Sequence, residues 1–377
     1  MGLHVRFLFA RFEHVEVEEL SQSHASLPGS ARRSYQGYIR HKWLVLVVGV
    51  VLLLMLTIVS IMSGSANLSI SQVLAALVGS GDDYSRIVVW NLRMPHILTA
   101  MVGGVALALA GCSFQSVLRN PLASASTLGV AQGAAFGASV AIIVLGAGGT
   151  SAAHEAVVFS SPSLTAVCAF GGAMLSTLVI LGLSRFRDMT PESIVLAGVA
   201  LSALFSGATA LVQYFAEDTQ VAAVVFWTFG SLRRVTYREL AIMAAVTAAC
   251  AIFFHFNRGN YNAMESGEAS AHSLGVNVKG VRLVNMLVAT VASSTIIAFC
   301  CIINFVGLVA PHVMRRFIGS DYRYLLPSSA VAGAVLLLAS DLLASSLVPS
   351  VVLPISAITS FVGAPLFLWL LMRGAHR

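Results

Sequence analysis

Long apolar runs recur along almost the whole of this 377-residue chain, and they restrict its possible folds more than any other feature. Most runs reach the roughly 20 residues that an α-helix needs to cross the hydrocarbon core of a bilayer. Only 10% of the residues are charged, against about 25% in soluble globular domains, which is too few to cover a water-soluble body of this size. The sequence therefore predicts a polytopic membrane protein and excludes a soluble enzyme, a disordered chain and a fibrous repeat.

The apolar runs predict an all-α bundle of ten transmembrane helices. The predicted spans are 43–62, 95–113, 126–146, 163–183, 194–215, 239–256, 283–303, 305–318, 328–346 and 353–373. The eighth is short and carries His312, Arg315 and Arg316 near its end. Residues 1–42 are polar and predict a cytoplasmic N-terminal tail, so residues 43–377 form the membrane domain.

Basic residues orient the bundle, because cytoplasmic loops of membrane proteins are enriched in Lys and Arg. With the N-terminus inside, most of the 22 basic residues fall in inside segments. The outside segments hold only Arg86, Arg93, Arg233, Arg234 and Arg238. Both termini are therefore predicted to be cytoplasmic, and the net charge of +6 reflects membrane topology rather than binding of nucleic acid.

Small residues recur at helical spacing inside the spans. Gly129, Gly133 and Gly137 follow one another every four residues, and Gly104 and Ala108 repeat this spacing. Such small faces let membrane helices approach closely. The five cysteines lie in apolar runs without CxxC spacing, so they are predicted to be packing residues rather than disulfide partners or metal ligands.

Catalytic and energy-coupling motifs are missing from the sequence. There is no GxxxxGK[ST] phosphate-binding loop, no HExxH and no GxSxG. Asp341 is the clear ionisable residue in mid-span; it should face the bundle interior with a partner, as a structural anchor or a ligand contact. These features favour a non-catalytic subunit without cofactor or metal, whose energy comes from a partner. A secondary transporter that uses Asp341 is the alternative, and an intramembrane enzyme or receptor is a third.

Several short segments, taken together, resemble one known family. They are 91–96 (NLRMPH), 119–123 (RNPLA), 196–201 (LAGVAL), 226–232 (FWTFGSL), 267–276 (GEASAHSLGV), 305–312 (FVGLVAPH), 319–323 (GSDYR) and 325–327 (LLP). Each segment alone is weakly specific. Their order over the predicted spans resembles the FecCD/BtuC-like permeases of ABC importers, from about residue 43 to 374.

The resemblance implies a homodimer of ten-helix subunits in the inner membrane, which some members replace by a pseudo-heterodimer. It also implies two cytoplasmic ATP-binding cassette subunits, which bind ATP and magnesium, and an extracytoplasmic binding protein that delivers the ligand. Ligands of the family are ferric siderophores, haem, cobalamin and, in some members, oxyanions. Ferric siderophore is the expected ligand from its frequency in the family.

The loop at about 257–282 is a long inside connection that contains a short helix-forming stretch. Gly275 follows this stretch, as Gly commonly does at a helix C-terminus. A short projecting helix can lie in a groove of a partner, and the resemblance makes it the segment that contacts the ATPase; an ordinary connecting loop is the alternative. The residues assigned to this contact are Gly267, Glu268, Ala269, Ser270, Ala271, His272, Ser273, Leu274 and Gly275.

Polar residues in or next to the spans are candidates for the gate and the transport pathway. Thr190, Pro191 and Glu192 form a helix-start signal that needs no further function, but the resemblance places this segment at the cytoplasmic gate. The candidate gate and pathway residues are Thr190, Pro191, Glu192, Ser193, Gln115, Asn120, Gln132 and Asn304. The alternative roles are a helix end before Pro121 for Asn120, and hydrogen bonding between helices for the other amide side chains.

Arginines predicted to face outward are candidates for contacting the binding protein. The family often carries charged residues at positions occupied here by His96, Ser345 and Val352. Of the docking arginines that the family implies, only Arg93 remains. We expect Arg93, Arg233 and Arg234 to pair with carboxylates of the binding protein, because the planar guanidinium binds a carboxylate through two hydrogen bonds. The alternative is that Arg233 and Arg234 reach lipid headgroups.

Overall fold

The computed structural model describes residues 29–63, 68–150, 157–159, 161–186, 189–348 and 353–374. Most of the predicted tail, residues 1–28, lies outside this part of the chain. Residues 29–42, predicted to belong to the tail, form the start of the first helix, which continues without a break into the first predicted span. All candidate site residues predicted from the sequence lie in the compact unit that begins at Val48.

Helices make up nearly all of the described structure. They are α1 (Gly29–Met62), α2 (Ile70–Val78), α3 (Asp83–Arg86), α4 (Met94–Val117), α5 (Val130–Ser139), α6 (Pro162–Phe186), α7 (Pro191–Tyr214), α8 (Asp218–Thr228), α9 (Tyr237–Glu265), α10 (Glu268–Ser273), α11 (Val278–Cys300), α12 (Val306–Ile318), α13 (Tyr322–Ser346) and α14 (Ile355–Gly374). A π-helical stretch, Ile87–Arg93, joins α3 to α4, and another, Val140–Val144, extends α5. A 3-10 turn covers Leu232–Arg234.

Two strands of three residues each are an addition to the predicted all-α fold. β1 (Gly148–Thr150) pairs antiparallel with β2 (Val157–Phe159), with Gly148 opposite Phe159. Both strands lie in the connection between α5 and α6. Apart from this pair, the described residues form helices, turns and loops, so the prediction of a helical membrane bundle is confirmed.

Seven helices in the described residues are long and apolar enough to cross a membrane. They are α1, α4 with the turns before it, α6, α7, α9, α11 and α13, and each coincides with a predicted span. The other predicted spans coincide with shorter helices: α5 with its π-helical extension, α14, and α12, which has 13 residues. The full count of ten crossings and the placement of both termini remain predictions.

Helix α4 lies inside the bundle and packs against α9, α11, α12 and α13. In the span that ends with α4, 78% of the most apolar stretch is buried, against 22% for α7. Glycine makes the close contacts of α4 possible: Gly104 faces the backbone of Gly333, and Gly111 faces that of Gly307. A Cβ atom at Gly111 would lie 1.7 Å from the carbonyl oxygen of Gly307. Small residues thus bring helix backbones together, as expected in a bilayer.

The three glycines predicted to form a small face contact neighbouring elements. A Cβ atom at Gly137 of α5 would lie 2.0 Å from the carbonyl oxygen of Cys168 in α6, and Gly133 approaches Gly172 in the same way. Gly129 precedes α5 in the left-handed conformation, with φ of 76°. The predicted close packing of this face is confirmed.

Candidate transport and coupling site

The predicted coupling segment forms a short helix with defined ends. Gly267, with φ of 112°, turns the chain between α9 and α10. Gly275, with φ of 82°, follows α10 in the left-handed region that favours glycine. Asn277 then precedes α11 as its N-cap, and its Oδ1 atom accepts a hydrogen bond from the backbone amide of Gly280 at 3.0 Å. The helix predicted from the sequence is therefore formed between two long helices.

Most side chains of this segment face away from the bundle. We call the surface formed by residues 268–274 the α10 surface. Within it Ala271 is buried, whereas Leu274 is 70% exposed. The remaining exposed residues are Ala269, Ser270, His272 and Ser273. A small, partly apolar surface that projects from the bundle is suited to a groove on a partner protein.

Arg282, one turn into α11, connects the α10 surface to the bundle. Its guanidinium forms an ion pair with the carboxylate of Glu268. Its Nε atom also donates a hydrogen bond of 3.1 Å to the backbone carbonyl of Val117, the last residue of α4. The neighbouring helices α10 and α11 therefore meet the end of α4, which is distant in sequence, at one side chain.

The helix-start signal before α7 is formed as predicted. The Oγ1 atom of Thr190 accepts a hydrogen bond of 3.3 Å from the backbone amide of Ser193, and Pro191 is the first residue of the helix. Glu192 and Ser193 are exposed. Pro191 and Glu192 thus occupy the first turn of α7, outside the buried part of the bundle.

A tight turn after α4 contains Asn120. Arg119 adopts φ of 45°, and the Oδ1 atom of Asn120 accepts a hydrogen bond of 2.9 Å from the backbone amide of Leu122. The amide of Asn120 itself donates to the carbonyl of Gln115 at 3.2 Å. These contacts give Asn120 a turn-forming role at the end of α4, and its part in a gate stays a prediction.

The amide side chains predicted for the pathway differ in their surroundings. Gln115 is buried, and its Nε2 atom donates a hydrogen bond of 3.3 Å to the carbonyl of Leu308, which joins α4 to α12. Asn304 lies before α12, with its Nδ2 atom 3.5 Å from the Oγ atom of Ser360 in α14. Gln132 is half-buried on α5. Bonding between elements, the alternative considered for Gln115 and Asn304, is therefore observed.

Two of the three arginines predicted to contact the binding protein are exposed. Arg233 and Arg234 are exposed in the 3-10 turn before α9. Arg93 is only 4% exposed, and its Nη1 atom donates a hydrogen bond to the carbonyl of Ile61 in α1. The prediction that Arg93 belongs to an outer docking patch does not fit this burial, because the guanidinium is occupied inside the bundle.

A cavity of about 370 Å³ opens beside the two exposed arginines. Its walls include apolar side chains of α8 and the start of α14, and Asp341 of α13 lines it as well. Asp341 is 5% exposed. The cavity therefore combines two cationic groups, one buried carboxyl group and apolar walls.

His96 is the polar partner of Asp341, which could not be identified from the sequence. The Nε2 atom of His96 lies 3.5 Å from Oδ2 of Asp341, and its Nδ1 atom is 2.8 Å from the carbonyl of Leu92. Because a carbonyl only accepts, Nδ1 must donate, and Nε2 of a neutral ring then carries no proton. A hydrogen bond between the two side chains requires one shared proton, on either the ring or the carboxyl group.

A buried polar cluster near α10 was not predicted. Tyr261 of α9 donates a hydrogen bond to Oδ1 of Asn285 in α11, and its hydroxyl lies 3.3 Å from that of Ser113 in α4. The backbone amide of Tyr322 donates to Oδ1 of Asn262 at 2.9 Å. The cluster joins the end of α9 to three other helices.

Asp321 adds a charged contact to the same region. Its Oδ2 atom accepts a hydrogen bond of 3.0 Å from Nη2 of Arg323, and its Oδ1 atom accepts one of 3.3 Å from Asn262. Burial raises the pKa of this carboxyl group, but the hydrogen bonds from Arg323 and Asn262 outweigh it, so the pKa lies below its ordinary value. Asp321 therefore stays ionised at neutral pH at the start of α13.

Comparison with known families places these features in one class of membrane protein. The model of the FecCD transport family matches residues 52–373, which include every candidate site residue named above. The chain belongs to the FecCD transport family. Together with its apolar helices, this membership makes it a multi-pass inner-membrane protein.

Relatives of this FecCD chain align over most of its length. A protein of Methanocaldococcus jannaschii named as an ABC transporter permease is 46% identical over 344 residues, covering 90% of this chain and 97% of the relative. The hemin transport system permease protein HmuU of Yersinia pestis is 34% identical, with coverage of 85% and 94%. A solved structure described as an inward-facing metal-chelate type ABC transporter has a TM-score of 0.76 at 28% identity, covering 87% of this chain and 98% of its own.

The FecCD chain shows no metal centre in the described residues, where no group of three or more His, Cys, Asp or Glu side chains could hold an ion. Its candidate site features are the α10 surface, the helix start at Glu192 and the cavity beside Arg233. Local sequence signals mark the first two features. The partner of Asp341 and the contacts of Arg282 have no local signal in the chain.

Proposed function

We propose that this chain is the membrane subunit of a binding-protein-dependent ABC importer that moves a metal chelate into the cytoplasm by ATP-driven alternating access. The observation that carries the proposal is the α10 surface, a capped and exposed helix on a chain without a phosphate-binding loop. Membership of the FecCD family supports it, and so does the similarity to a metal-chelate type ABC transporter.

The proposed topology has ten membrane crossings with both termini in the cytoplasm. In this orientation the α10 surface and the start of α7 face the cytoplasm, and Arg233 and Arg234 face outward. The two ATP-binding cassette subunits bind ATP and magnesium, and each contacts one α10 surface. The binding protein docks at the outer face, where its carboxylates pair with the two arginines.

A second copy of this chain is proposed to complete the pathway. Helix α7 leaves most of its apolar stretch uncovered, and its uncovered face includes small residues. These residues are Ala200, Ala203, Ser206, Gly207 and Ala210. Small residues favour close contact between membrane helices. Two copies of α7 would place both segments 190–193 at the cytoplasmic end of a shared pathway, as a gate.

The proposed substrate is a ferric siderophore, with haem, cobalamin and an oxyanion as the other candidates. Ferric siderophore is proposed first because it is frequent among the ligands of the family. Haem is a candidate because the Yersinia pestis relative is named as a hemin transport protein. The chain performs no chemistry on the chelate.

Uptake by the reconstituted transporter tests the proposal. The chain would be placed in liposomes with its ATPase subunits and binding protein, and uptake of ferric ferrichrome, hemin and cyanocobalamin would be measured separately. We expect one probe to accumulate only with ATP inside the liposomes, and vanadate to stop its uptake. Uptake that resists vanadate but stops when a protonophore removes the ion gradient would support the alternative, a secondary transporter in which the His96–Asp341 pair carries the proton.

A further inference from the structure

We propose that Arg282 transmits movement of the α10 surface to the end of α4 and to the gate segment at the start of α7. This inference rests on the proposed function, in which the ATPase contacts the α10 surface. Arg282 is a positioning residue in this scheme, because it acts through the elements that it joins.

The two contacts of the guanidinium connect an exposed element to a buried one. The side chain of Glu268, which begins α10, is 43% exposed, whereas that of Arg282 is 11% exposed. On the other side Arg282 reaches Val117 through the hydrogen bond from Nε. A force on α10 is therefore transferred through one planar group to the bundle interior. The rigid fork of Arg holds two acceptors in fixed directions.

The acceptor on α4, the carbonyl of Val117, lies at a helix end whose displacement would also move the turn that follows it. The last carbonyls of a helix lack partners within the helix, and an arginine that satisfies one of them defines how the helix ends. Directly after Val117 the chain enters the turn of Arg119 and Asn120. Two residues before it, Gln115 joins α4 to α12. Movement of the guanidinium would thus act on the turn and on a contact inside the bundle.

The helix that carries the gate segment packs against the connection that follows this turn. A Cβ atom at Gly198 of α7 would lie 2.5 Å from the carbonyl oxygen of Thr127, so α7 has backbone contact with the connection between α4 and α5. Arg282 therefore connects the ATPase contact with α7 through the end of α4 and the connection that follows it.

Variants of Arg282 separate transmission from docking. In the reconstituted transporter, Arg282→Gln removes the charge and both contacts, and Arg282→Lys keeps the charge without the fork. Arg316→Gln is the matched control, because it removes one positive charge from α12 at a side chain that lies over the Trp369 ring. We expect ATP-dependent uptake to fall at least about fivefold in Arg282→Gln, the low end for coupling between sites. Arg282→Lys should lie between wild type and Arg282→Gln, and Arg316→Gln should match wild type.

Two further readouts distinguish transmission from a structural role. We expect the ATPase subunits to co-purify with Arg282→Gln in normal amounts, because the α10 surface itself is intact. A disulfide cross-link between protomers through Thr190→Cys should change with nucleotide in the otherwise unaltered chain, but not in the Arg282→Gln background. A Glu268→Gln/Arg282→Gln double variant should transport as poorly as Arg282→Gln alone, because both residues act in one path.

The outcomes that overturn the inference differ from those that overturn the proposed function. Normal uptake by Arg282→Gln in a system where the unaltered chain shows ATP-driven uptake overturns the inference alone. Loss of the ATPase subunits from Arg282→Gln also overturns it, because Arg282 would then support docking or folding. If the unaltered chain shows no ATP-driven uptake, the proposed function itself fails.

Discussion

Asp341 and His96 are two buried polar side chains that face each other between otherwise apolar helices. The carboxyl group lies in mid-helix, is almost fully buried, and its Oδ2 atom has the ring of His96 as its polar neighbour at 3.5 Å. A buried polar atom without its partner costs free energy, because water is not there to replace the lost contact. We therefore expect the pair to anchor α4 to α13 as long as both side chains are present.

A double-variant cycle tests this anchor. We expect His96→Leu to lower the free energy of unfolding by about 1–3 kcal/mol, because the acceptor on Asp341 is left without its partner. The variant His96→Leu/Asp341→Leu should recover most of the loss, since two apolar side chains leave no buried polar group. Ser340→Ala is the control, because the hydroxyl of Ser340 bonds within its own helix. Thermal unfolding in detergent measures all of these; a double variant less stable than His96→Leu contradicts the anchor.

At the scale of helices, backbone contact between α4 and its neighbours depends on glycine residues, which have no side chain. Gly111 and Gly307 approach so closely that neither tolerates a Cβ atom without a shift of backbone. Lipid is as apolar as the side chains, so packing of this kind supplies the attraction that water supplies in soluble proteins. Other glycines of the same chain, including Gly171, have no atom within 4 Å of a Cβ position.

Alanine substitutions at Gly111 and Gly171 should change the stability of the protein differently. We expect Gly111→Ala to destabilise the protein by at least about 1–3 kcal/mol, because the added methyl group forces two backbones apart. Gly171→Ala should be neutral or slightly stabilising, since Ala favours a helix over Gly by about 1 kcal/mol. Thermal unfolding in detergent compares the two. Equal effects would show that the α4–α12 contact adapts without cost.

The geometry at the end of α10 also depends on one glycine, Gly275. We expect Gly275→Val to uncouple ATP hydrolysis from uptake, because a β-branched residue with φ near 82° is strained and would tilt the α10 surface. Gly275→Asn is the matched control, since Asn accepts the left-handed conformation. Hydrolysis and uptake are measured on the same liposomes. Normal transport by well-expressed Gly275→Val would show that the orientation of α10 is unimportant.

At the scale of the whole molecule, the proposed topology defines an outer end of the bundle with exposed positive charge. Arg233 and Arg234 are exposed beside the outer cavity in the proposed topology, whereas Arg93 is withdrawn into the bundle. Exposed ion pairs contribute only about 0–1 kcal/mol each and weaken with salt. Docking through two arginines is therefore expected to be modest in strength and sensitive to ionic strength.

Charge reversal at the outer face tests this arrangement. We expect Arg233→Glu/Arg234→Glu to weaken binding of the loaded binding protein and to flatten its dependence on salt, because the attraction between opposite charges is lost. Arg86→Gln is the control, because the proposed topology also places Arg86 outside and its ion-pair contact is with Asp83 at 3.7 Å. Binding is measured by surface plasmon resonance at several salt concentrations. Unchanged affinity and salt slope would show that the two arginines contact lipid headgroups instead.

Local sequence signals determined the elements of this protein. Hydropathy located the long membrane helices, Thr190 and Pro191 marked the start of α7, and Gly275 marked the end of α10. Each of these signals depends on residues within one or two turns, so a single chain displays them completely. The order of short motifs also predicted the family, which the match over residues 52–373 confirms.

Only the tertiary structure decided which side chains meet. Arg282 and Val117 are 165 positions apart, and nothing near either residue indicates the other. The same holds for His96 with Asp341, and for the burial of Arg93 against the prediction that it docks. The physical reason is the bilayer: lipid-facing and buried helix faces are both apolar, so hydropathy locates a membrane helix without showing which face it buries. Helix packing selects that face, and the polar contacts that connect α10 with α4 through Arg282 follow from it.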